Sequence, residues 1–148
     1  SKSNAILGGE MSGHIFYNDN WYGFDDGIFA ALKLLEILSS KESTTHEVFN
    51  KFTKLFNTPE IKIAVKDDEK FEIVEQLKVK LKPKGYNSIL IDGLRLENKD
   101  CWGLVRASNT TPSLILRFEA NTEQKLMEIQ ELFQKTLLEI NKNLKFLN

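Results

Sequence analysis

Between Tyr86 and Ala120 the chain passes through a series of short apolar runs of period two, joined by turns of only a few residues. Strands joined so tightly have no room for a crossover and must pair antiparallel. Ile61, Ile63 and Val65 alternate as a first strand. A helix follows, with apolar positions that include Phe71, Val74, Leu77 and Leu81, an expected cap at Asp67 and a stop at Pro83-Lys84-Gly85. Tyr86 to Asp92 reads as a strand, and Asp92-Gly93 is a tight-turn pair leading back through Leu94 to Glu97. Asn98-Lys99-Asp100 turns the chain into Cys101 to Ala107, and Ser113 to Ala120 forms the last strand. Asn121 then caps a long helix, with Gln124 as its box partner and Leu126, Ile129, Phe133, Leu137 and Ile140 along one face. The expected fold is α+β, in the order β-α-β-β-β-β-α: a mostly antiparallel four-stranded sheet packed with helices.

The N-terminal region has a different character. Asn4 to Gly9 reads as a short strand that delivers a glycine-rich loop, and Ile15 to Tyr17 continues as a second extended piece before the turn Asn18-Asp19-Asn20. Asp25 or Asp26 caps a helix that reaches Leu38. Its apolar residues cover almost the full circumference, so the helix calls for burial on most sides. This short region cannot supply that cover. Helix 26–38 is therefore expected to pack against the second domain, to self-associate or to stay loosely ordered, and residues 1–53 read as a strand-loop-helix remnant of an α/β domain. Thr44-Thr45-His46-Glu47 has the form of a capping box, with His46 on its solvated first turn. Asn57-Thr58-Pro59 breaks the helical pattern near the start of a second domain, 54–148.

Two polar clusters stand out against this frame. Arg106-Ala107-Ser108-Asn109-Thr110-Thr111-Pro112 packs a guanidinium, hydroxyls and a carboxamide into a turn-prone stretch. Arg offers parallel N–H donors to two phosphate oxygens, hydroxyls rotate to suit a third, and a bend can aim backbone amides at one point. An ordinary polar hairpin loop beside an arginine accounts for the same residues. Gly8-Gly9-Glu10-Met11-Ser12-Gly13-His14 lies far away in sequence. Its glycines permit close approach to a ligand, Glu10 and Ser12 suit sugar hydroxyls, and His14 can move a proton near neutral pH. A plain glycine turn is the alternative.

Together these clusters, with Gly23-Phe24-Asp25-Asp26-Gly27, Asp92-Gly93-Leu94-Arg95, Trp102-Gly103-Leu104-Val105 and Leu116-Arg117-Phe118-Glu119-Ala120, resemble the α-D-phosphohexomutases, and the order of motifs is kept over nearly the whole chain. The similarity is strongest to the bacterial phosphomannomutase/phosphoglucomutase type. Met11 takes part in that assignment, since the related phosphoglucosamine mutases usually carry Gln there. The resemblance implies an enzyme of four domains that moves a phosphoryl group between the C1 and C6 oxygens of a hexose, through a phosphoserine and a bisphosphorylated sugar. It implies Mg²⁺ in the complete enzyme and hexose 1,6-bisphosphate as activator or intermediate. Neither a phosphoserine loop nor an aspartate metal loop of that family occurs here, so no metal ligand is expected in this chain. Residues 1–53 then correspond to the last part of the third, sugar-binding domain and 54–148 to the fourth. The start at Ser1-Lys2-Ser3-Asn4 is what a chain cut before a strand would show, with the N-terminal domains of the same enzyme as its missing partners. Carried over residue by residue, Arg106, Ser108, Asn109 and Thr110 hold the non-reacting phosphate, Glu10 and Ser12 contact sugar hydroxyls, and His14 is the catalytic proton-transfer candidate. The chain alone is expected to be inactive. The alternative is a sugar-phosphate-binding or regulatory domain without chemistry.

Composition narrows the other classes. The 148 residues suffice for one or two small domains, and 41% apolar with 28% charged residues is an ordinary globular balance. A net charge of −1 gives no bulk field for nucleic acid or anionic membrane, so any anion site must be local. The run Lys78, Lys80, Lys82, Lys84 lacks interleaved aromatics and reads as a solvated face. The single cysteine, Cys101, excludes an internal disulfide and fits a cytoplasmic location. Cys101 reads as a small strand residue, and Asp25-Asp26 and Asp67-Asp68 as helix caps rather than metal ligands.

Overall fold

The computed structural model describes residues 4–10 and 12–146. Ser1, Lys2, Ser3 and Met11, which the sequence reading used, lie outside the described residues. The chain divides between Thr53 and Lys54 into two compact units.

The first unit opens with a hairpin. Strand β1 (Leu7–Gly9) pairs antiparallel with β2 (Ile15–Tyr17), in the register Leu7↔Tyr17 and Gly9↔Ile15. Helix α1 (Gly27–Ser39) starts at Asp26, whose side chain accepts the Phe29 amide at 2.9 Å. Trp21 stacks on Phe29 at 4.0 Å between ring centroids, fixing the start of α1 to the chain before it. No residue of α1 is buried; Ile28 is 78% and Leu35 60% exposed. Helix α2 (Thr45–Phe49) carries the complete capping box between Thr44 and Glu47.

The second unit is a mixed layer of sheet and helix. Its strands are β3 (Phe56–Asn57), β4 (Ile61–Ala64), β5 (Asn87–Ile89), β6 (Leu94–Glu97), β7 (Cys101–Ala107) and β8 (Ser113–Ala120). All the pairings are antiparallel, in the order β3-β8-β7-β6-β5 with β4 also on β8. The sheet is thus six-stranded where the sequence reading expects four. The reason is local. β8 is eight residues long and accommodates both β3 and β4 along one edge. Thr58 bridges the two, donating its amide to the Phe118 carbonyl and accepting the Phe118 amide on its hydroxyl. Pro59 has no N–H to continue the ladder, so the edge is interrupted there.

Helices α3 (Lys70–Lys80) and α4 (Glu123–Ile140) pack on the sheet over one continuous core that includes Ile63, Leu77, Leu94, Leu96, Val105, Leu116 and Phe133. Gly103 lets α4 approach closely: a Cβ there would lie 2.7 Å from the Phe133 ring. Two caps differ from expectation. Glu69, not Asp67, precedes α3, and it makes no capping hydrogen bond; the Asp67 carboxylate instead accepts from Lys70. Thr122, not Asn121, caps α4 by accepting the Lys125 amide, while Asn121 donates to the Lys99 carbonyl. Of the apolar positions expected for α3, Val74, Leu77 and Leu81 are buried as expected, but Phe71 is 55% exposed and Ile73 is buried instead. Cys101 is buried in β7.

Candidate functional site

In the second unit, strand alternation sends Cys101, Gly103, Val105 and Ala107 toward the core and Trp102, Leu104 and Arg106 to the opposite face. Register brings Arg95, Leu104 and Arg117 into one row, and Glu97, Trp102 and Glu119 into the next. The carboxylates of the second row are committed. Glu97 accepts from Arg95 Nε at 2.8 Å, and Glu119 accepts from the Trp102 indole at 2.9 Å. Arg95 also lies over the Trp102 ring at 4.1 Å. Arg106 is left with only a long ion pair, and Arg117 with none among the described residues. The nearest recorded carboxylate oxygen to Arg106 is Asp92 Oδ2, 3.8 Å from Nη1, beyond hydrogen-bond reach. The Nε of Arg117 is buried and unpartnered.

Arg106 leads into a loop that is organised from within. The Ser108 amide donates to the Ser113 carbonyl at 2.9 Å, and the Ser113 amide to the Thr111 carbonyl at 2.8 Å. The Ser108 hydroxyl is only 6% exposed as part of its residue and accepts from the Thr111 amide at 3.1 Å and the Thr111 hydroxyl at 2.8 Å, with the Thr110 amide at 3.4 Å. Two amides that a turn might aim at an anion therefore point at Ser108 instead. If Thr111 donates to Ser108, then Ser113 must donate to Thr111 at 2.7 Å, and the Ser108 O–H proton stays free for a ligand. Asn109 and Thr110 are exposed at the tip. The free donors of this loop are thus the Arg106 guanidinium, the Ser108 hydroxyl, the Asn109 amide and the Thr110 hydroxyl. That set is rich in donors and holds no carboxylate, which suits a phosphate oxygen cluster.

The turn before β6 supports Arg106 from the side. Gly93 has φ +84, and a Cβ there would fall 2.2 Å from the Val105 carbonyl and 2.8 Å from Arg106 Cα. Only glycine lets this turn lie on β7 beside Arg106.

In the first unit, the β1–β2 hairpin closes the other loop, with Glu10 N donating to His14 O at 2.9 Å and Gly13 at φ +93. Ser12 Oγ donates to Glu10 Oε2 at 3.1 Å, so these two side chains already face one another at the exposed tip. His14 Nδ1 lies 2.5 Å from Asp25 Oδ2, and Asp25 Oδ1 accepts the Ile15 amide at 3.2 Å. The carboxylate of Asp25 raises the His14 pKa above its ordinary value, first by the hydrogen bond and then by its charge. With Nδ1–H donated to Asp25, Nε2 is the atom presented to a ligand.

The structure therefore groups Arg106, Ser108, Asn109 and Thr110 in one loop, and Glu10, Ser12 and His14 in another. The sequence reading gives Asp25 only a capping role and Arg117 only a place in a motif, and does not single out Lys70. Two adjacent aspartates before α1 carried a readable signal, because only one can be the cap. Arg117 had none without the strand register.

The second unit thus carries a loop of hydroxyls and guanidinium on an antiparallel sheet, and the first a glycine loop bearing a carboxylate and an imidazole. Comparison with known proteins is specific. Residues 60–135 match the family model of the phosphoglucomutase/phosphomannomutase C-terminal domain, and residues 1–56 that of the alpha/beta/alpha domain III. The chain belongs to the phosphoglucomutase/phosphomannomutase family. A phosphomannomutase/phosphoglucomutase of Pseudomonas aeruginosa is 46% identical over 143 residues, covering 97% of this chain and 31% of the relative. A phosphoglucomutase of Neisseria meningitidis serogroup A is 46% identical over 145 residues, with the same coverage. The crystal structure of a phosphoglucomutase/phosphomannomutase family protein from Burkholderia thailandensis superposes with TM-score 0.85 at 37% identity, covering 98% of this chain and 30% of that one. The chain thus spans about a third of the length of the relatives it matches.

Proposed function

We propose that this chain supplies sugar-hydroxyl and distal-phosphate recognition to a hexose phosphomutase that interconverts hexose 1-phosphate and hexose 6-phosphate through a phosphoserine and a bisphosphorylated sugar. Residues 1–53 are the end of its third domain and 54–148 its fourth, a division that the two family matches support. The observation that carries this reading is Arg106: a guanidinium without a hydrogen-bonded carboxylate, at the mouth of a loop whose remaining outward groups are donors. Arg117, whose buried Nε has no partner, adds a second cation on the same face of the sheet.

Each loop has a distinct task. Arg106, Ser108, Asn109 and Thr110 grip the phosphate that is not reacting, so the same grip serves the sugar in either orientation. Glu10 and Ser12 bind ring hydroxyls. His14 exchanges a proton with the reacting hydroxyl through Nε2: it accepts the proton when the hydroxyl attacks phosphorus, and Asp25 stabilises the imidazolium that results. Positioning of this kind supplies a large share of catalysis on its own. Among the described residues no group of three His, Cys, Asp or Glu side chains is placed to hold a metal ion. Likewise no described helix is long and apolar enough to cross a membrane. The reading implies the cytoplasm as compartment, hexose bisphosphate as activator, and a second partner surface on α1, through which the separated chain self-associates.

The chain by itself is expected to show no mutase turnover with Mg²⁺ and hexose bisphosphate, because the family's serine and metal loops have no counterpart in it. Reproducible turnover by purified chain would contradict this division of labour. Binding is tested separately by titrating the 148-residue chain with hexose 6-phosphate and following backbone amides. Shifts centred on residues 106–112, with Kd on the order of millimolar or about −4 kcal/mol, are expected. An unchanged loop would overturn the assignment.

A further inference from the structure

Lys70 sits where both its helix position and its burial disfavour a cation. It opens α3, where the helix dipole disfavours a cation. Its side chain is only 5% exposed, a costly position for an ammonium group. Its ion partner, Asp67 at 2.7 Å, is 75% exposed and so is screened by solvent. The Phe71 ring, 5.2 Å from Nζ, supplies the other neighbour on α3.

What Lys70 reaches from there is the loop after β7. Nζ donates to the Thr111 carbonyl at 3.4 Å, a contact between residues 41 apart in sequence. Thr111 is the hub of that loop. Its amide and hydroxyl both converge on Ser108 Oγ, and its carbonyl also accepts the Ser113 amide. Anchoring the Thr111 carbonyl holds in place the residue whose amide and hydroxyl both donate to Ser108 Oγ. The Val65 amide holds the next carbonyl, Pro112, at 3.0 Å, so the loop exit is pinned from the segment that leads into α3.

We infer that Lys70 is a positioning residue for the phosphate loop, clamping Thr111 so that Ser108 and its neighbours are preorganised for a phosphate dianion; this rests on the phosphate reading of residues 106–112. Such a role accounts for a buried amine that stability alone does not favour, since replacing a buried ion pair by an apolar group of similar size is often neutral or stabilising.

The test is inorganic phosphate titrated into the 148-residue chain, followed by amide shifts, with wild type, Lys70→Met and Arg106→Ala. Lys70→Met should melt within a few degrees of wild type, exchange the Thr110 and Thr111 amides faster, and bind phosphate about fivefold more weakly or worse. Wild-type affinity in Lys70→Met, while Arg106→Ala loses binding, would overturn this inference and leave the phosphate reading standing. No phosphate binding by wild type would remove both. Should Lys70→Met fail to fold, exposed Asp67 decides. Asp67→Asn frees the amine to close on Thr111 and should tighten phosphate binding more than the neighbouring control Asp68→Asn; equal effects of the two would overturn the inference.

Discussion

His14 and Asp25 form the most directly testable pair. The hydrogen bond and charge of Asp25 hold the His14 pKa above the ordinary value of about 6.5. The stabilisation from this pair is therefore fully present below that ordinary value and is lost as pH rises through the folded-state midpoint. The His14 ring resonances should titrate with a midpoint above the ordinary histidine value. Asp25→Asn should lower the His14 midpoint; an unshifted His14 would remove Asp25 from the site. Gly93 makes a second prediction at this scale. Gly93→Ala would have to relieve a 2.2 Å contact with the Val105 carbonyl at φ +84. A loss of about 3 kcal/mol in denaturant unfolding is expected, combining positive-φ strain with overpacking. The importance of Gly93 is half legible in sequence: Asp-Gly signals a turn, but the carbonyl beneath it is visible only once β6 is registered on β7.

Elements show where sequence reading stops. The strands from Leu94 to Ala120 follow their period-two pattern closely, because one face is buried and a one-residue slip would reverse every side chain. Edges and caps were less legible. β3 exists because β8 has spare length, a fact carried by neither Phe56 nor Asn57. Asn121 and Thr122 are both good caps by type, and the choice falls to Thr122 because Asn121 is drawn to the Lys99 carbonyl. The consequence is measurable: Thr122→Ala should destabilise the second unit by about 1 kcal/mol through loss of the α4 cap. Phe71 was misplaced for a related reason. Its spacing to Val74 allows it on the core stripe, but the packing of α3 buries Ile73 instead. On α4, Phe133→Ala should cost about 3–5 kcal/mol, since its ring fills the space above Gly103 and meets Phe118 at 5.4 Å. Equal melting of that variant and wild type would contradict the packing described.

At the scale of the whole molecule, the chain is two units with different claims on stability. The second has its own continuous core. The first carries α1, apolar on nearly every side and buried at no residue, with Ile28, Leu32 and Leu35 among its exposed positions. An apolar surface of that kind marks an interface. Light scattering should show the chain associating as concentration rises, and Leu35→Glu should suppress it; a strictly monomeric wild type would remove that surface from the account. The motif order across both units was legible from the sequence and agrees with the family matches. The buried lysine was not, because its partner lies 41 residues away.

The central claim is that residues 106–112 form a phosphate grip whose strength depends on one guanidinium. Titration of wild type and Arg106→Ala with inorganic phosphate, at fixed ionic strength and followed by amide shifts of Ser108 to Thr111, tests it most directly. Wild type should saturate with Kd on the order of millimolar, and Arg106→Ala should lose most of the response, since a charge-assisted bidentate pair is the strongest contact the loop offers. Indistinguishable titrations of the two proteins would contradict it.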